Sequence, residues 1–490
     1  MRALLNSLGL TLWSSIAIVL AVGLALVGYR VSLGIRSLPP MMSSQPTAGA
    51  GAQVAPAIPY GSTGRSSNSA PPPMRGAMIS RVIGPEMKDA QAALQAGRWQ
   101  DALDDLHAAE LHQGITVFDK FKIHDFKAFA EFKLSKYKEA EADYEAALAA
   151  GKYTPQEAAR TTRLLFRVAA QNQQYAKGIE YGKQVAESAT VTADDLNIMA
   201  QLYYLQKDCK NTGAWADKAL AASKEAGEAP KENTYQFKLQ CASDAGDTAG
   251  MEGPLTDLIK LTNKTLYWNT LLRLERQAGR DDHDLLMIYR IMYNTNSMNA
   301  DTDYIEMAQL LGDAGLPGEA VAVLDKATST GVIRDEHKER IMRVLEAMQT
   351  RTDSDRKGLP QQEAESNETP VGDLDVKLGE VYYGFADYEK SVEAITRGLR
   401  KGPVSHMDDA YVYLGLAQLK LQNFDGAQRA FASLKNVANG SSRTLKLWGL
   451  YADTLAGRAQ TADSVSASLA KETPPPGQAS LRQLQPDERD

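Results

Sequence analysis

The sequence predicts an all-α fold, a solenoid of antiparallel helix pairs, from three observations. Turn positions recur every 33 to 39 residues from Gly97 to Gly315. In the best copies an aromatic residue follows the turn after two residues and a small residue after five, as Trp99 and Ala102 follow Gly97. Hydrophobic residues make up 43% of the 490-residue chain, which suits a folded protein. Small residues let paired helices approach closely and the aromatic ring fills the remaining space, so the pattern describes packing between repeats.

The repeat can be followed along most of the chain. Its turns are Gly97, Ser135, Gln173, Lys207, Gly246, Gly279, Gly315 and Ala386, and a last copy surrounds Phe424. A step of 71 residues separates positions 315 and 386, and we expect one divergent helix pair there, around "HKERIMRVLEAMQ". A period near 34 residues is typical of the tetratricopeptide repeat (TPR). The prediction is a TPR-like right-handed superhelical solenoid of about nine to ten helix pairs. Unrelated amphipathic helices are the alternative, and the regular spacing of the repeat copies disfavours it.

The first segment, residues 1–36, is predicted to be a transmembrane anchor. Residues 8–29 contain no charged side chain, and a helix needs about 20 apolar residues to cross the hydrocarbon core. A cleaved signal peptide is the alternative, but its apolar core is usually only ~7–15 residues long and ends at a small-residue cleavage site. Arg30 and Arg36 offset Arg2, so the positive-inside rule leaves the orientation undecided.

Composition separates the folded body from its flanks. Residues 37–84 are rich in Pro, Ser, Gly and Ala, and the tail 458–490 contains "KETPPPGQ". Such sequences bury too little apolar surface to offset the entropy of ordering, so we expect a flexible linker and a disordered tail. The solenoid is predicted over 85–457, with an irregular segment at about 335–370.

Catalytic sequence motifs are missing from the chain. It contains no HExxH, GxxxxGK[ST], GxSxG or CxxC pattern, so we predict no enzyme and no cofactor. "GRDDHDL" at 279–285 combines three acids with a histidine. At a turn between helices we expect these acids to complement the helix dipole, and no metal site is predicted. The net charge of −7 and the lack of a polybasic stretch argue against nucleic acid as a partner.

The two cysteines fall at neighbouring helix ends of the predicted repeat. Cys209 lies at the start of the second helix of one pair, and Cys241 lies near the end of the first helix of the next pair. Antiparallel packing would bring these ends within the ~7 Å between Cα atoms that a disulfide allows. Two buried free thiols are the alternative. A bond here would indicate an oxidising compartment, with the solenoid outside the cytoplasm.

The first helices of stacked pairs are expected to line a concave face that binds a protein partner. Projecting the repeat onto them predicts these groove residues: Phe129, Phe132, Lys133, Arg163, Arg167, Gln201, Tyr204, Asn269, Arg273, Glu380 and Tyr383. Lys133, Arg163 and Arg167 would clamp an acidic side chain or a C-terminal carboxylate, because arginine contacts carboxylates in a bidentate way. A solvated basic face is the alternative. Tyr204 and Tyr383 are amphipathic anchors of the kind that binding hot spots favour, although helix packing also uses such tyrosines.

Several blocks, among them "LNIMAQLYYLQKDCKNTGAWADKAL", "GLPGEAVAVLDKATSTGVI" and "TLKLWGLY", resemble TPR proteins of proteobacteria assigned to the TonB system. The resemblance covers roughly residues 85–455. It implies a periplasmic solenoid that helps an inner-membrane complex of TonB, ExbB and ExbD proteins to energise uptake through outer-membrane receptors. Members of that group usually carry a cleaved signal, whereas this sequence predicts an anchor and a long tether.

The function expected from the sequence is therefore a protein-binding adaptor. It would be held in the inner membrane by a single span, with the solenoid facing the periplasm and supporting TonB-dependent uptake. A structural scaffold for cell-envelope or polysaccharide assembly, with no role in energised transport, is the alternative.

Overall fold

The computed structural model describes residues 78–437 and 442–455. The predicted anchor, nearly all of the predicted linker and the predicted tail lie outside these residues. Within them every regular element is a helix, so the all-α prediction is confirmed for this part of the chain. None of these described helices combines the length and the apolar character that a membrane crossing requires.

Most described helices follow one another as pairs joined by short turns. The pairs are α1 (Gly84–Gln95) with α2 (Trp99–Glu110), α3 (Val117–Lys133) with α4 (Tyr137–Ala149), α5 (Pro155–Gln171) with α6 (Tyr175–Ala186), α7 (Ala193–Leu205) with α8 (Cys209–Glu225), α9 (Glu232–Asp244) with α10 (Thr248–Thr262), α11 (Thr265–Arg276) with α12 (Asp282–Asn294), α13 (Asp301–Asp313) with α14 (Pro317–Thr330), α16 (Asp373–Gly384) with α17 (Tyr388–Lys401), and α18 (Met407–Lys420) with α19 (Phe424–Ser433). Two described helices stand outside the pairing: α15 (Asp335–Glu368) and α20 (443–455).

Residues in the left-handed conformation connect the two helices of a pair. All eight turn residues predicted above have φ between 60° and 75°. At seven of these turns the N–H of the next residue bonds back to a carbonyl five residues earlier, as Arg98 does to Ala93 and Lys136 to Glu131, both at 2.9 Å. After Gly279 the Nε of Arg280 donates to the Glu275 carbonyl instead, at 3.3 Å. This geometry satisfies carbonyls at the helix end and reverses the chain. The predicted turn positions are confirmed.

Capping boxes define where three first helices begin. Thr116, Thr154 and Thr192 precede α3, α5 and α7, and each accepts a hydrogen bond from the backbone N–H three residues later. The acidic residue at that third position bonds back to the threonine backbone N–H. Two orphan donors are satisfied at each start, so these helices enter the stack at defined residues.

Small residues at the helix crossings have the packing role that the repeat predicts. Ala102, Ala140 and Ser391 are completely buried. A Cβ atom added to Gly379 would lie 2.4 Å from Cγ1 of Ile395, far inside a normal contact. A larger side chain at these crossings would push the helices apart, because close-packed interiors leave no spare volume.

Helix α15 corrects two expectations. Residues 335–368 form one continuous 34-residue helix, whereas the sequence predicted a divergent helix pair around "HKERIMRVLEAMQ" and an irregular segment at about 335–370. The stretch contains no residue in the left-handed conformation and no aromatic residue that could fill a helix crossing, so it does not fold back on itself. It also buries little, with only Ile341, Leu345 and Ser366 fully buried. Its polar sequence suits a long solvated helix.

Helix α15 lies beside the stack instead of within it. Arg351 donates to the carbonyl of Gly312 in α13 at 2.8 Å, and Lys401 of α17 donates to the carbonyl of Ser366 at 2.6 Å. The stack itself continues directly from α14 to α16. There the backbones of Gly318 and Gly384 approach so closely that a Cβ on Gly318 would lie 2.8 Å from the Gly384 carbonyl oxygen.

The last helices fold back onto the middle of the array. The rings of Trp268 in α11 and Tyr451 in α20 meet edge to face, with centroids 6.2 Å apart. Arg443 of α20 binds Glu275 of α11 at 2.6 Å. The start of α18 touches the start of α12 through the side chains of His283 and Asp409. We call this contact of α18 and α20 with α11 and α12 the closure.

Candidate functional site

Helices α3, α5 and α7 contribute predicted groove residues to one cavity. Phe132, Arg167 and Gln201 line the same space, which has a volume of about 390 Å³. Its remaining walls are Tyr137, Ala170, Gln171, Asp194, Ile198, Leu202, Leu205 and Lys231. We call this cavity the α3–α7 groove. Apolar walls with a few charged groups at the edge are the usual composition of a site that holds an anchor side chain of a partner.

Phe129 and Lys133 form a separate aromatic patch beside the groove. The Trp99 and Phe129 rings meet edge to face with centroids 5.7 Å apart. The Lys133 ammonium lies 5.5 Å from the Phe129 ring and 5.9 Å from the Trp99 ring. These are cation–π distances. The patch joins α2 to α3 and leaves Lys133 exposed.

The predicted clamp of Lys133, Arg163 and Arg167 is not assembled. Arg163 Nε lies 3.1 Å from one carboxylate oxygen of Asp195, and Arg167 Nη2 lies 3.3 Å from the other. Asp195 is 1% exposed, and a buried carboxylate needs such partners to offset its desolvation. The prediction was wrong because the capping acid of α7 uses both arginines. The Arg167 side chain still keeps 40% of its surface exposed.

Tyr204 takes part in packing as well as lying at the helix surface. Its ring lies 5.4 Å from the ring of Phe237 in α9. Burial raises the pKa of its hydroxyl, with a smaller contribution from Asp244. Part of the expected anchor surface is therefore already engaged by the next helix pair.

Asn269 and Arg273 belong to a second cavity, between α11, α12 and α13. It has a volume of about 330 Å³, and its walls include Arg276, Asp303 and Glu306. Asn269 Nδ2 donates to the carbonyl of Ser297 at 2.6 Å. Arg276 binds Asp303 at 2.5 Å. This cavity shares no lining residue with the α3–α7 groove, so the eleven predicted residues do not make one continuous site.

Glu380 and Tyr383 are buried, which corrects the expectation that they face a partner. Their exposed fractions are 7% and 8%. The Tyr383 ring packs between Tyr388, at 5.6 Å, and Tyr413 of α18, at 5.3 Å. Glu380 accepts a hydrogen bond from Lys377 at 3.0 Å, and burial raises the pKa of its carboxyl. The closure covers both residues, and the repeat pattern contains no information about it.

A buried charged cluster lies behind them, where α12, α14 and α18 meet. Arg290 is 1% exposed and donates from Nε and Nη2 to the two carboxylate oxygens of Glu319, both at 3.3 Å. It also donates to the Tyr413 hydroxyl, which in turn donates to Glu319 at 2.5 Å. Arg290 Nη1 lies 3.6 Å from Asp409. We call Arg290, Glu319, Tyr413 and Asp409 the Arg290 cluster.

The charges of this cluster shift the pKa values of its members. Burial disfavours the Arg290 cation, but Glu319 and Asp409 outweigh burial and raise its pKa, so it stays charged. Burial raises the pKa of the Tyr413 hydroxyl. The hydrogen bond to Asp409 raises the pKa of His283 to about 9. For Asp409 burial is opposed and outweighed by His283 and Arg290, which lower its pKa.

Sequence reasoning missed this cluster, although one signal was present. Arg290 interrupts the apolar run "LLMIYRIMY", and an arginine inside such a run must find a buried acid. Its partners Glu319 and Tyr413 follow 29 and 123 residues later. Nothing in a local pattern identifies partners at that separation.

Cys209 and Cys241 form a disulfide with a Cα–Cα distance of 5.5 Å. The bond joins the first residue of α8 to the body of α9, so it fastens one helix pair to the next. The sequence predicted that antiparallel packing brings the start of α8 and the end of α9 together, and the bond lies between these two helix ends. The free-thiol alternative does not hold in this structure.

Comparisons with known proteins complete the description. No protein-family model matches the chain, and no curated protein matches it. Solved structures that are similar to it include a TPR protein from Parabacteroides merdae, 12% identical over 55% of this chain and 100% of that chain, with a TM-score of 0.31. Others are the C-terminal part of a TPR protein from Cytophaga hutchinsonii (11% identical, 54% and 95% covered, TM-score 0.33) and the TPR2AB domain of yeast Sti1 in its complex with pHSP90 (15% identical, 55% and 98% covered, TM-score 0.27). At such low TM-scores the solenoid assignment rests on the helix pairs, their turns and their crossings.

Proposed function

We propose that the chain is an adaptor that binds a protein partner in the α3–α7 groove. The observation that carries the proposal is the groove itself, with Phe132, Ile198 and Leu205 on its walls and Arg167 and Lys231 at its edge. Lys231 forms a half-exposed pair with Asp194, and such exposed pairs are worth little. A partner segment with an apolar anchor next to an acidic residue fits this arrangement.

The disulfide supports a location outside the cytoplasm. Bonds of this kind persist in oxidising compartments and are rare where glutathione keeps thiols reduced. We propose that the solenoid faces the periplasm and that residues 1–36 hold it in the inner membrane. The resemblance of the sequence to TPR proteins of the TonB system adds the finer proposal that the partner belongs to a TonB-type uptake complex.

Site-specific photo-crosslinking tests the groove and its partner together. A photoreactive amino acid replaces Gln201 or Tyr204 in native membranes, and Gln184, exposed on α6, is the matched control. We expect adducts from the first two positions and none from position 184. TonB, ExbB, ExbD or an outer-membrane receptor among the adducts supports the uptake adaptor. Adducts with only cell-wall or polysaccharide machinery favour the scaffold alternative, and adducts at all three positions alike contradict the groove.

A charge substitution tests the chemistry of recognition. Lys231→Glu reverses a charge at the groove edge that is held in a half-exposed pair with Asp194, and we expect it to remove the adduct from position 201. Arg160→Glu, at an exposed position of α5, changes the net charge equally and should leave the adduct intact. Equal loss in both variants would show that Lys231 does not recognise the charge of the partner.

A further inference from the structure

The closure brings two histidines and two aspartates together from distant parts of the chain. His283 lies in the first turn of α12, and His406, Asp408 and Asp409 lie at the start of α18. His283 Nε2 is 3.2 Å from Asp409 Oδ2 and 3.8 Å from Asp408 Oδ2. The two imidazole rings have centroids 6.0 Å apart. One ligand atom from each of the four residues lies within 4.8 Å of the others.

We propose that His283, His406, Asp408 and Asp409 bind one divalent transition-metal ion of the zinc class, and that the ion joins α12 to α18. Two imidazole nitrogens and two carboxylate oxygens are ligands that Zn²⁺ prefers in four-coordinate sites. Bonds of about 2.0–2.2 Å place such ligands about 3.4 Å from one another. The ligand atoms, now within 4.8 Å of one another, reach that spacing by approaching at most about 1.4 Å, which rotamer changes at two helix starts allow.

The charges around the four residues suit a divalent cation. Arg290 is the nearest buried cation, and Glu319 already balances its charge through two contacts of 3.3 Å. Lys377, which lines the same cavity, is paired with Glu380 at 3.0 Å. A bound ion would replace the proton that His283 carries, so that the carboxylates of Asp408 and Asp409 balance its charge of two.

The environment also orients the ligands and admits the ion. Arg290 lies 3.6 Å from the Asp409 oxygen that does not face His283, as an outer partner does when it fixes a ligating carboxylate. His283 keeps 40% of its side-chain surface exposed. Three of them, His283, His406 and Asp409, border a cavity of about 350 Å³, so solvent and ions reach the ligands without any opening of the fold.

Helix capping explains only part of this arrangement. Acids in the first turn of α18 complement the helix dipole. The dipole does not explain why two imidazole rings lie beside these acids. A second group on α12 alone, made of Asp281, His283 and Asp284, also has the spacing of a metal site. That group contains no residue of α18, so a metal ion bound there would depend on Asp284 and not on His406.

Titration with Co²⁺ alone, as a visible probe, tests the proposal on the purified full chain. The chain carries a tag without histidine and is freed of metal with a chelator beforehand. We expect one equivalent of Co²⁺ to bind with visible absorption bands that Zn²⁺ removes. His406→Gln, at an exposed position, should weaken binding by at least about 100-fold, because even loss of a supporting contact costs 10–100-fold.

Two matched variants make the result decisive. His107→Gln removes an exposed histidine of α2 and should bind Co²⁺ as the parent does, and so should Asp284→Asn. In hydrogen exchange, Zn²⁺ should protect the first turns of α12 and α18 together. The proposal is overturned if binding is not saturable at one equivalent, if His406→Gln keeps the parent affinity, or if Asp284→Asn abolishes binding.

Discussion

The contact between Gly318 and Gly384 makes the direct stacking of α14 on α16 testable. In Gly318→Ala the new Cβ would lie 2.8 Å from the Gly384 carbonyl oxygen and 2.9 Å from its carbonyl carbon. Ordinary contacts begin at 3.4 Å, so the two backbones must separate by 3.4 − 2.8 = 0.6 Å. Both groups belong to helix backbones, and no flexible side chain can move aside. The strain therefore spreads over the whole α14–α16 contact.

Two terms decide the size of the effect. Overpacking a close-packed contact costs about 1–3 kcal/mol, and replacing a helical glycine by alanine gains about 0.5–1 kcal/mol. We expect Gly318→Ala to lower the free energy of unfolding by about 1–2 kcal/mol, since the contact involves backbone only. Gly213→Ala is the matched control, because Gly213 lies within α8 and a Cβ there meets no atom within 4 Å. That variant should gain about 0.5–1 kcal/mol.

Urea unfolding followed by circular dichroism measures the difference, and hydrogen exchange shows where it arises. Because each element of a repeat array contacts mainly its neighbours, faster exchange should be confined to the helices around α14 and α16. Stabilisation of Gly318→Ala to the same extent as Gly213→Ala would refute direct stacking. So would unchanged exchange in α14 and α16.

Three further predictions concern bonds and charges elsewhere in the array. Replacing Cys209 and Cys241 by alanine, or adding reductant, should lower the free energy of unfolding by about 3–4 kcal/mol. This is the conformational entropy that the bond removes from the unfolded chain when it closes a loop between positions 32 apart in sequence. The double variant should no longer respond to reductant in urea unfolding. Arg290→Met should cost about 3–5 kcal/mol, because it leaves Glu319 buried without its cation, and adding Glu319→Gln should restore part of the stability measured by the same assay. Burial and a neighbouring carboxylate raise the pKa of Glu131 from 4.5 to about 8, so its folded state holds a proton that the unfolded state releases. Unfolding free energy should therefore fall as pH rises from about 4.5 to about 8, and Glu131→Gln should flatten that dependence.

The repeat could be predicted because its information is local. A left-handed residue such as Gly97 or Ala386, followed by residues that pack at a crossing, identifies one helix pair without reference to any other. The same logic explains the error at α15. The spacing of the turns implied a missing pair, but residues 335–368 have no turn residue and few apolar side chains, so they form one helix beside the stack.

The candidate site was predicted less well because its contacts are not local. Arg167 and Gln201 each lie six residues before a turn residue, and Phe132 lies three residues before one. One helical turn separates these two positions, so the three side chains lie on the same face of successive first helices and meet in the α3–α7 groove. Glu380 and Tyr383 occupy such positions too, yet the closure buries them. The repeat pattern predicts which side chains point away from the contact between the two helices of a pair. It contains no information on whether a helix later in the chain covers those side chains.

The position of α15 and the closure are physically connected. With α15 outside the stack, only α13, α14, α16 and α17 separate α12 from α18, and the start of α18 reaches His283. A further pair within the stack would add its own rotation and displacement, and the contacts of His283 and Arg290 with α18 would be lost. The glycine contact between α14 and α16 is therefore a condition for the closure. Separation of those helices in Gly318→Ala should then weaken Co²⁺ binding at His283 and His406 as well, although no metal ligand has changed.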